Sequence, residues 1–180
     1  MRIETSRLIL RNFCSEDADD LFDYLSKPSI YTFEPGSPIT REHAIDEAIE
    51  RAKSHVFIAV ERKEDGKMIG HLYFDRHKYE AIRTYFLGYI FNPSFQKQGY
   101  CTEACSALIQ YAFTELDAHR IEAKCSTENL ASNKVLEKLG MRLEGTMKKN
   151  VYFHMDSSGN PIWFDSNIYA MLAEDYNDTI

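Results

Sequence analysis

One glycine, set between an apolar strand-like run and an amphipathic run, constrains this chain more than any other stretch. Tyr85 to Phe91 is almost wholly apolar, and Phe95-Gln96-Lys97-Gln98-Gly99-Tyr100-Cys101-Thr102-Glu103-Ala104 follows it. Cys105, Leu108, Ile109, Ala112, Phe113 and Leu116 then recur at helical spacing. The segment therefore reads as a buried strand, a tight loop and a helix from Thr102 to about Leu116. A helix start carries free backbone N–H groups and the positive end of a dipole, which together suit a phosphate. Gly99 supplies a point where the backbone can turn sharply and approach an anion. A single glycine before a helix also serves as a plain turn, and both G-x-x-x-x-G-K-[ST] and G-x-G-x-x-G are absent.

The flanking segments set the fold class. Leu8, Ile9 and Leu10, between Arg7 and Arg11, predict a first strand. Ser15 with Asp17 and Asp19 opens a helix with Leu21, Phe22 and Leu25 on its apolar face, and Pro28 stops it. Thr40 is the expected N-cap of a second helix, about Arg41 to Lys53, with Ala44, Ile45, Ala48 and Ile49 lining one side. Strands from Val56 to Glu61 and Met68 to Phe74 pair as a hairpin about Glu64-Asp65-Gly66-Lys67, and a polar loop runs from Asp75 to Arg83. Ile121, Ala123 and Cys125 alternate as a strand, and a short helix from Asn129 to Leu139 ends at Gly140. Two long strand-like runs, Met141 to Met155 and Ile162 to Leu172, meet at Ser157-Ser158-Gly159-Asn160. Strand–helix–strand about Gly99 implies a parallel crossover, whereas the hairpins imply antiparallel pairs. The expected fold is α/β: one mixed sheet with helices on both faces, in a single domain spanning 1–180.

Composition narrows the function. With 44% apolar and 13% aromatic residues in 180, the chain can bury a core of its own. Lys plus Arg number 21 and Asp plus Glu 28, and the net charge of −7 argues against a nucleic-acid partner while suiting a cationic amine. Cys14, Cys101, Cys105 and Cys125 form no C-x-x-C pair, so no metal site is expected, and free thiols point to a reducing compartment. Met1-Arg2-Ile3-Glu4 opens no signal-peptide core and no run approaches membrane-spanning length. The expectation is a cytoplasmic protein without a membrane partner.

Several motifs coincide in order and spacing. They are Thr5-x-Arg7-Leu8-x-Leu10-Arg11, then Gly88-Tyr89 and Asn92-Pro93 leading into Phe95-Gln96-x-x-Gly99-Tyr100-x-Thr102-Glu103-Ala104. Asn129-x-x-Ser132-Asn133, Leu136-Glu137-Lys138-Leu139-Gly140-Met141, Glu144-Gly145 and the hairpin from Gly159 to Asp165 follow. Together they resemble the GNAT acetyltransferase superfamily, and within it the Rim-type branch of ribosomal-protein-alanine N-acetyltransferases. The resemblance covers nearly the whole chain. It implies a central, mostly antiparallel twisted sheet in which one parallel pair splays apart at the end of the Tyr85–Phe91 strand. The pantetheine arm of acetyl-CoA, the co-substrate, would lie there as a pseudo-strand against Tyr89, Ile90 and Phe91. Backbone N–H groups around Gln98, Gly99, Tyr100, Cys101 and Thr102 would hold the pyrophosphate, with Gln96 of the same motif among the cofactor-binding residues. Asn129 would bond the pantetheine arm, and Lys134 would either reach a CoA phosphate or remain a solvated helix lysine.

The departures from the family pattern bear on chemistry. Lys97 and Gln98 stand where Gly and Lys are common, and Cys101 where Ala or Gly is common. Cys101 is either a small packing residue or a thiol open to reagents. The Tyr that protonates the departing thiolate in many relatives is replaced by Leu136. In the Rim-type pattern a Ser one turn earlier, here Ser132, takes that role; the alternative is a helix residue bonded to its own backbone. A Glu on the penultimate strand is a common general base, yet this chain has Asn150, Val151 and Tyr152 there. Glu34, Asp75, His77, Glu80 and His154 are candidates in its place, none preferred, and His71 reads as a satisfied core histidine. The loop from Tyr31 to Glu34 and the last hairpin, with Phe153, Trp163 and Phe164, would wall an acceptor pocket. The implied acceptor is a protein N-terminal α-amine. A small amine such as a polyamine or an antibiotic, or a silent acyl-CoA-binding role, is the alternative. A homodimer through terminal strands or helices is compatible with the sequence.

Overall fold

The structure is a computed structural model and describes residues 1–177. Among the described residues eight strands form one sheet: β1 (Arg2–Glu4), β2 (Leu8–Asn12), β3 (Phe57–Arg62), β4 (Met68–Arg76), β5 (Thr84–Phe91), β6 (Arg120–Ser126), β7 (Arg142–Met155) and β8 (Pro161–Leu172). The spatial order is β1-β2-β3-β4-β5-β6-β8-β7, and every neighbouring pair is antiparallel except β5 and β6. The helices are α1 (Ala18–Leu25), α2 (Arg41–Lys53), α3 (Tyr100–Thr114), α4 (Leu130–Lys138) and α5 (Ala173–Asn177). The mixed α/β sheet with a parallel crossover is the fold expected from the sequence.

Alternation along the strands splits the core in two. Leu8, Leu10, Ile58, Val60, Leu72 and Phe74 meet Leu108 and Ile109 of α3 and Leu136 of α4 on one face. Ala59 and Met68 meet Leu21, Tyr24 and Leu25 of α1 and Ala48 of α2 on the other. The helix that follows Gly99 and the helix that carries Ser132 thus share one face, and the helices beside the loop of residues 31–39 share the opposite one.

Three differences from the sequence reading have physical causes. Thr40 caps α2 as expected, its Oγ1 accepting from the His43 N–H at 3.2 Å. The buried side of α2 is Ala44 and Ala48, however, while Ile45 and Ile49 are 46% and 38% exposed. The inner face continues into Arg51, whose guanidinium lies 4.4 Å from the Phe57 ring and bonds Glu47 at 2.8 Å, so a charge completes an apolar stripe. β1 and α5, three and five residues long, are too short to show a period. Residues 75–83 are less of a loop than expected, because β4 runs on to Arg76 and pairs with Tyr85.

Candidate active site

The parallel pair carries the opening in the sheet. β5 and β6 are in register only at Thr84↔Arg120, Tyr85↔Ile121 and Phe86↔Glu122. Beyond that point β5 stays paired with β4 as far as Phe91, and β6 stays paired with β8 as far as Ser126. Each strand keeps its outer neighbour and loses its inner one, so main-chain groups of Leu87 to Phe91 face a gap. A groove in two lobes, of about 710 and 670 Å³, occupies that gap. Phe33, Glu34, Tyr89, Ile90 and Asn129 border both lobes.

The smaller lobe lies at the start of α3. Gln96, Lys97, Gly99, Tyr100, Cys101 and Thr102 line it, with Lys134 and Lys138 from α4. Gly99 has φ +84 and precedes the first turn of α3, which has no side-chain cap. The N–H groups of that turn therefore stay available to an anion. Lys97 has φ +60, a left-handed conformation that costs a non-glycine residue about 1 kcal/mol. The position where the family pattern favours Gly thus keeps the glycine-like backbone although a Lys occupies it. Gln96 donates from Nε2 to the Phe91 carbonyl at 3.0 Å and so ties the loop to the end of β5. Gln98 lies outside the lining: its side chain reaches Ser94 O and its carbonyl accepts from Arg7 at 3.0 Å.

The opening motif of the chain explains how this loop is held. Glu103, in the first turn of α3, accepts from Thr5 Oγ1 at 2.6 Å, Ser6 Oγ at 3.0 Å and the Arg7 N–H at 3.0 Å. Arg7 pairs with the same carboxylate at 2.6 Å, and its guanidinium lies 4.3 Å from the Tyr100 ring centre. Burial pushes the Glu103 carboxyl up, but these hydrogen bonds outweigh it and leave it below the ordinary value. The segment between β1 and β2 is therefore a clamp on the helix start.

Above the splay stands α4. Asn129 is its N-cap and accepts from the Ser132 N–H at 3.1 Å. The Ser132 hydroxyl meets Tyr89 Oη at 2.8 Å rather than a carbonyl of its own helix, and Tyr89 can also donate to Ser132 O at 3.2 Å. Burial pushes the Tyr89 phenol far up, so it stays protonated. When that proton goes to Ser132 Oγ, the serine's own proton is free to point into the groove. Leu136 is 1% exposed and packed in the core, so it offers the groove nothing.

The larger lobe draws on more elements of the fold. Leu25, residues 31 and 33–39, His43, Glu47 and Arg51 wall one side, and Asn150, Val151 and Phe153 of β7 the other. Trp163 and Phe164 are corrections: neither lines the groove. Trp163 turns outward against Tyr152 and is 48% exposed, while Phe164 packs behind the wall on Phe33 and Phe153. His71 is a satisfied core residue, as the sequence suggested: Arg51 reaches its Nε2 at 3.2 Å and Tyr24 Oη its Nδ1 at 2.6 Å. Because Arg51 can only donate, Nε2 accepts and Nδ1 carries the proton. Burial, followed by the Arg51 charge, holds the His71 pKa well below the ordinary value, so the ring is neutral.

The structure thus brings Tyr89, Ile90, Phe91, Gln96, Gly99, Tyr100, Cys101, Thr102, Asn129, Ser132 and Lys134 to one groove, and of the expected cofactor-binding residues Gln98 alone lies outside its lining. Lys138, the Tyr89 hydroxyl and the Arg7–Glu103 clamp were missed. All three stand in motifs that carry the resemblance, Thr5-x-Arg7, Gly88-Tyr89 and Leu136-Glu137-Lys138, but the motifs alone give them no role. All four cysteines are free, and Cys101 and Cys125 border the groove.

Comparison with known proteins places the chain in a family. The model of an acetyltransferase (GNAT) domain matches residues 7–142. An uncharacterized N-acetyltransferase of Bacillus subtilis (strain 168), YnaD, is 37% identical over 180 residues, covering 98% of this chain and all of its own. The ribosomal-protein-serine acetyltransferase of Escherichia coli (strain K12) is 31% identical over 112 residues, 62% of this chain and 58% of its own. The crystal structure of a GNAT-family acetyltransferase from Bacillus anthracis superposes with a TM-score of 0.85 at 34% identity, covering 97% of this chain and 99% of that one.

Proposed function

The chain belongs to the GNAT acetyltransferase family, and from that premise we propose that the amine it acetylates with acetyl-CoA is the N-terminal α-amine of a polypeptide. The observation that carries this reading is the form of the larger lobe. It is a half-open groove of about 710 Å³ between the 31–39 loop and β7, with room for residues that follow the amine. The similarity to a ribosomal-protein-serine acetyltransferase supports it.

The residues fit acetyl-CoA. The open edge of β5 offers peptide groups to the two pantetheine amides, as an added strand would. The uncapped start of α3, with Lys97, Lys134 and Lys138 around it, suits the phosphates despite the acidic net charge. A backbone N–H of Tyr89 to Phe91 can stabilise the oxyanion that forms when the amine attacks. As the C–S bond breaks, Ser132, set by Asn129 and Tyr89, donates a proton to the thiolate. The groove itself contributes by holding amine and thioester together.

The test is Ser132→Ala, assayed by calorimetry with acetyl-CoA and by thiol release with N-terminal peptides and polyamines. Acetyl-CoA should bind with nearly unchanged affinity while turnover falls by about 10²–10⁴-fold. Turnover confined to polyamines would move the acceptor to small amines. Binding without turnover on any acceptor would make the protein a silent acyl-CoA binder.

A further inference from the structure

An amine must lose a proton before it can attack, and β7 supplies no carboxylate at Asn150, Val151 or Tyr152. The other acidic and imidazole candidates are engaged away from the groove. Asp75 accepts from the Tyr73 hydroxyl at 3.0 Å, and His77 Nδ1 accepts from the Tyr79 N–H at 3.1 Å. Glu80 pairs with Arg76 at 3.6 Å, and His154 Nε2 meets Thr32 O at 3.2 Å. None of the four lines either lobe.

Glu34 differs in three respects. It borders both lobes, as Tyr89 and Asn129 do, and so stands at the junction between them. Among the described residues its carboxylate has no hydrogen bond or ion pair, while the other groove carboxylate, Glu47, is held by Arg51 and His43. The loop that carries it is fixed. Tyr31 Oη donates to Leu25 O at 2.9 Å, the Ile39 N–H donates to the same carbonyl at 3.1 Å, and Phe33 packs edge-on to Phe164 at 6.0 Å.

We propose that Glu34 receives the acceptor, its carboxylate docking the incoming ammonium and taking the proton that frees the nitrogen lone pair. The step balances. R–NH₃⁺ gives one proton to Glu34, which passes it to solvent. The C–N bond forms and the C–S bond breaks, and a second proton leaves the nitrogen and ends on the CoA sulfur, delivered through Ser132. No oxidant or further reactant is needed.

The surroundings suit a carboxylate that waits for a cation. The charged and titratable groups around the groove are His43, Glu47 and Arg51 from α2, His71 and Tyr73 from β4, Tyr89 from β5, and Lys124 and Cys125 from β6. Tyr31 lies on the same loop, and Lys97, Tyr100, Cys101, Lys134 and Lys138 border the smaller lobe. None is bonded to Glu34, Arg51 is neutralised by Glu47, and His71 is neutral. Burial alone raises the Glu34 carboxyl to about 7, so near neutral pH it can both hold and release a proton.

This inference rests on the transferase reading, and the experiment separates the two. The kcat–pH profile is measured for wild type, Glu34→Gln and Glu34→Asp with the best peptide of the panel, alongside acetyl-CoA calorimetry. Wild-type kcat should fall as pH drops through about 7, because a protonated Glu34 cannot accept. Glu34→Gln should lose about 10²–10³-fold in kcat and lose that acid limb, with acetyl-CoA affinity within about twofold. Glu34→Asp should restore part of the rate and an acid limb. Unchanged kcat and acid limb in Glu34→Gln, even with a raised KM, would overturn the proposal, because docking alone does not free the nitrogen lone pair, while leaving the transferase intact. A wild type that releases no thiol with any amine would remove the transferase reading, and the proposal with it.

Discussion

The two lobes of the groove meet at Glu34 and Tyr89 but are made of different material. The smaller lobe joins the end of β5, Tyr89 to Phe91, to the left-handed turns at Lys97 and Gly99 and the uncapped start of α3, where main-chain groups are free. The larger presents side chains from α2, β7 and the 31–39 loop. Backbone recognition suits a co-substrate common to many enzymes, because peptide geometry tolerates substitution. Side-chain recognition suits an acceptor that differs from one enzyme to the next. Damage to the first lobe should therefore travel through the chain path, and damage to the second through chemistry alone, as Glu34→Gln is designed to show.

The largest expected effect in the first lobe comes from Gly70. This residue of β4 pairs with Phe91, and a Cβ on it would lie 2.6 Å from Ile90 O and 2.9 Å from Phe91 Cα. Both are backbone atoms, so relief requires moving β5 itself. Gly70→Ala should cost about 3 kcal/mol in urea unfolding and weaken acetyl-CoA binding by at least about tenfold, although residue 70 borders neither lobe. Unaltered binding in a folded Gly70→Ala protein would break the contrast between the lobes.

A smaller effect is expected for Arg7→Ala. It removes the 2.6 Å ion pair with Glu103, the hydrogen bond to Gln98 O and the stacking on Tyr100. Arg7 is partly exposed, so solvent screening limits the loss to about 1 kcal/mol. Acetyl-CoA affinity should fall several-fold while the acceptor KM stays level, which steady-state kinetics with both substrates varied would show.

The smallest effect is expected for Lys97→Gly, and it should sharpen the comparison by splitting stability from affinity. Glycine relieves up to about 1 kcal/mol of left-handed strain, partly offset by the entropy it adds to the unfolded chain. The variant should be slightly more stable and bind acetyl-CoA slightly less well, since a groove cation is lost. Thermal unfolding with and without acetyl-CoA would show the two trends in opposite directions.

The same contrast decides what the sequence could reveal. The smaller lobe follows from local rules: an apolar run, a glycine and a helical period occupy about 30 consecutive residues, and α3 and β5 lie within two residues of their expected bounds. Thr40 and Gly140 likewise mark the ends of helices through chemistry next to them in the chain. The larger lobe depends on pairings that periodicity cannot carry. Glu34 stands out among five candidate bases only once it is seen to line the same groove as residues of α2, β7 and α4. Arg51 reads as a polar helix residue until the Phe57 ring and Glu47 are seen to enclose it. Trp163 and Phe164 reversed the guess for an equally plain reason: both are aromatic, and only the three-dimensional packing shows which way each ring turns.

Three ladder positions join β5 to β6, and all lie at one end of the gap. In mechanical terms the sheet is a plate with a crack, and the Phe86↔Glu122 rung is the crack tip. Any force that widens the groove concentrates on that rung, because β4 and β8 hold the outer edges of the two strands along most of their length. A molecule that bridges the crack further along shares the load and blunts the tip. Occupation of the gap by pantetheine would therefore stiffen two half-sheets that are otherwise joined like the arms of a tuning fork, and the acceptor would meet a more rigid partner than acetyl-CoA did.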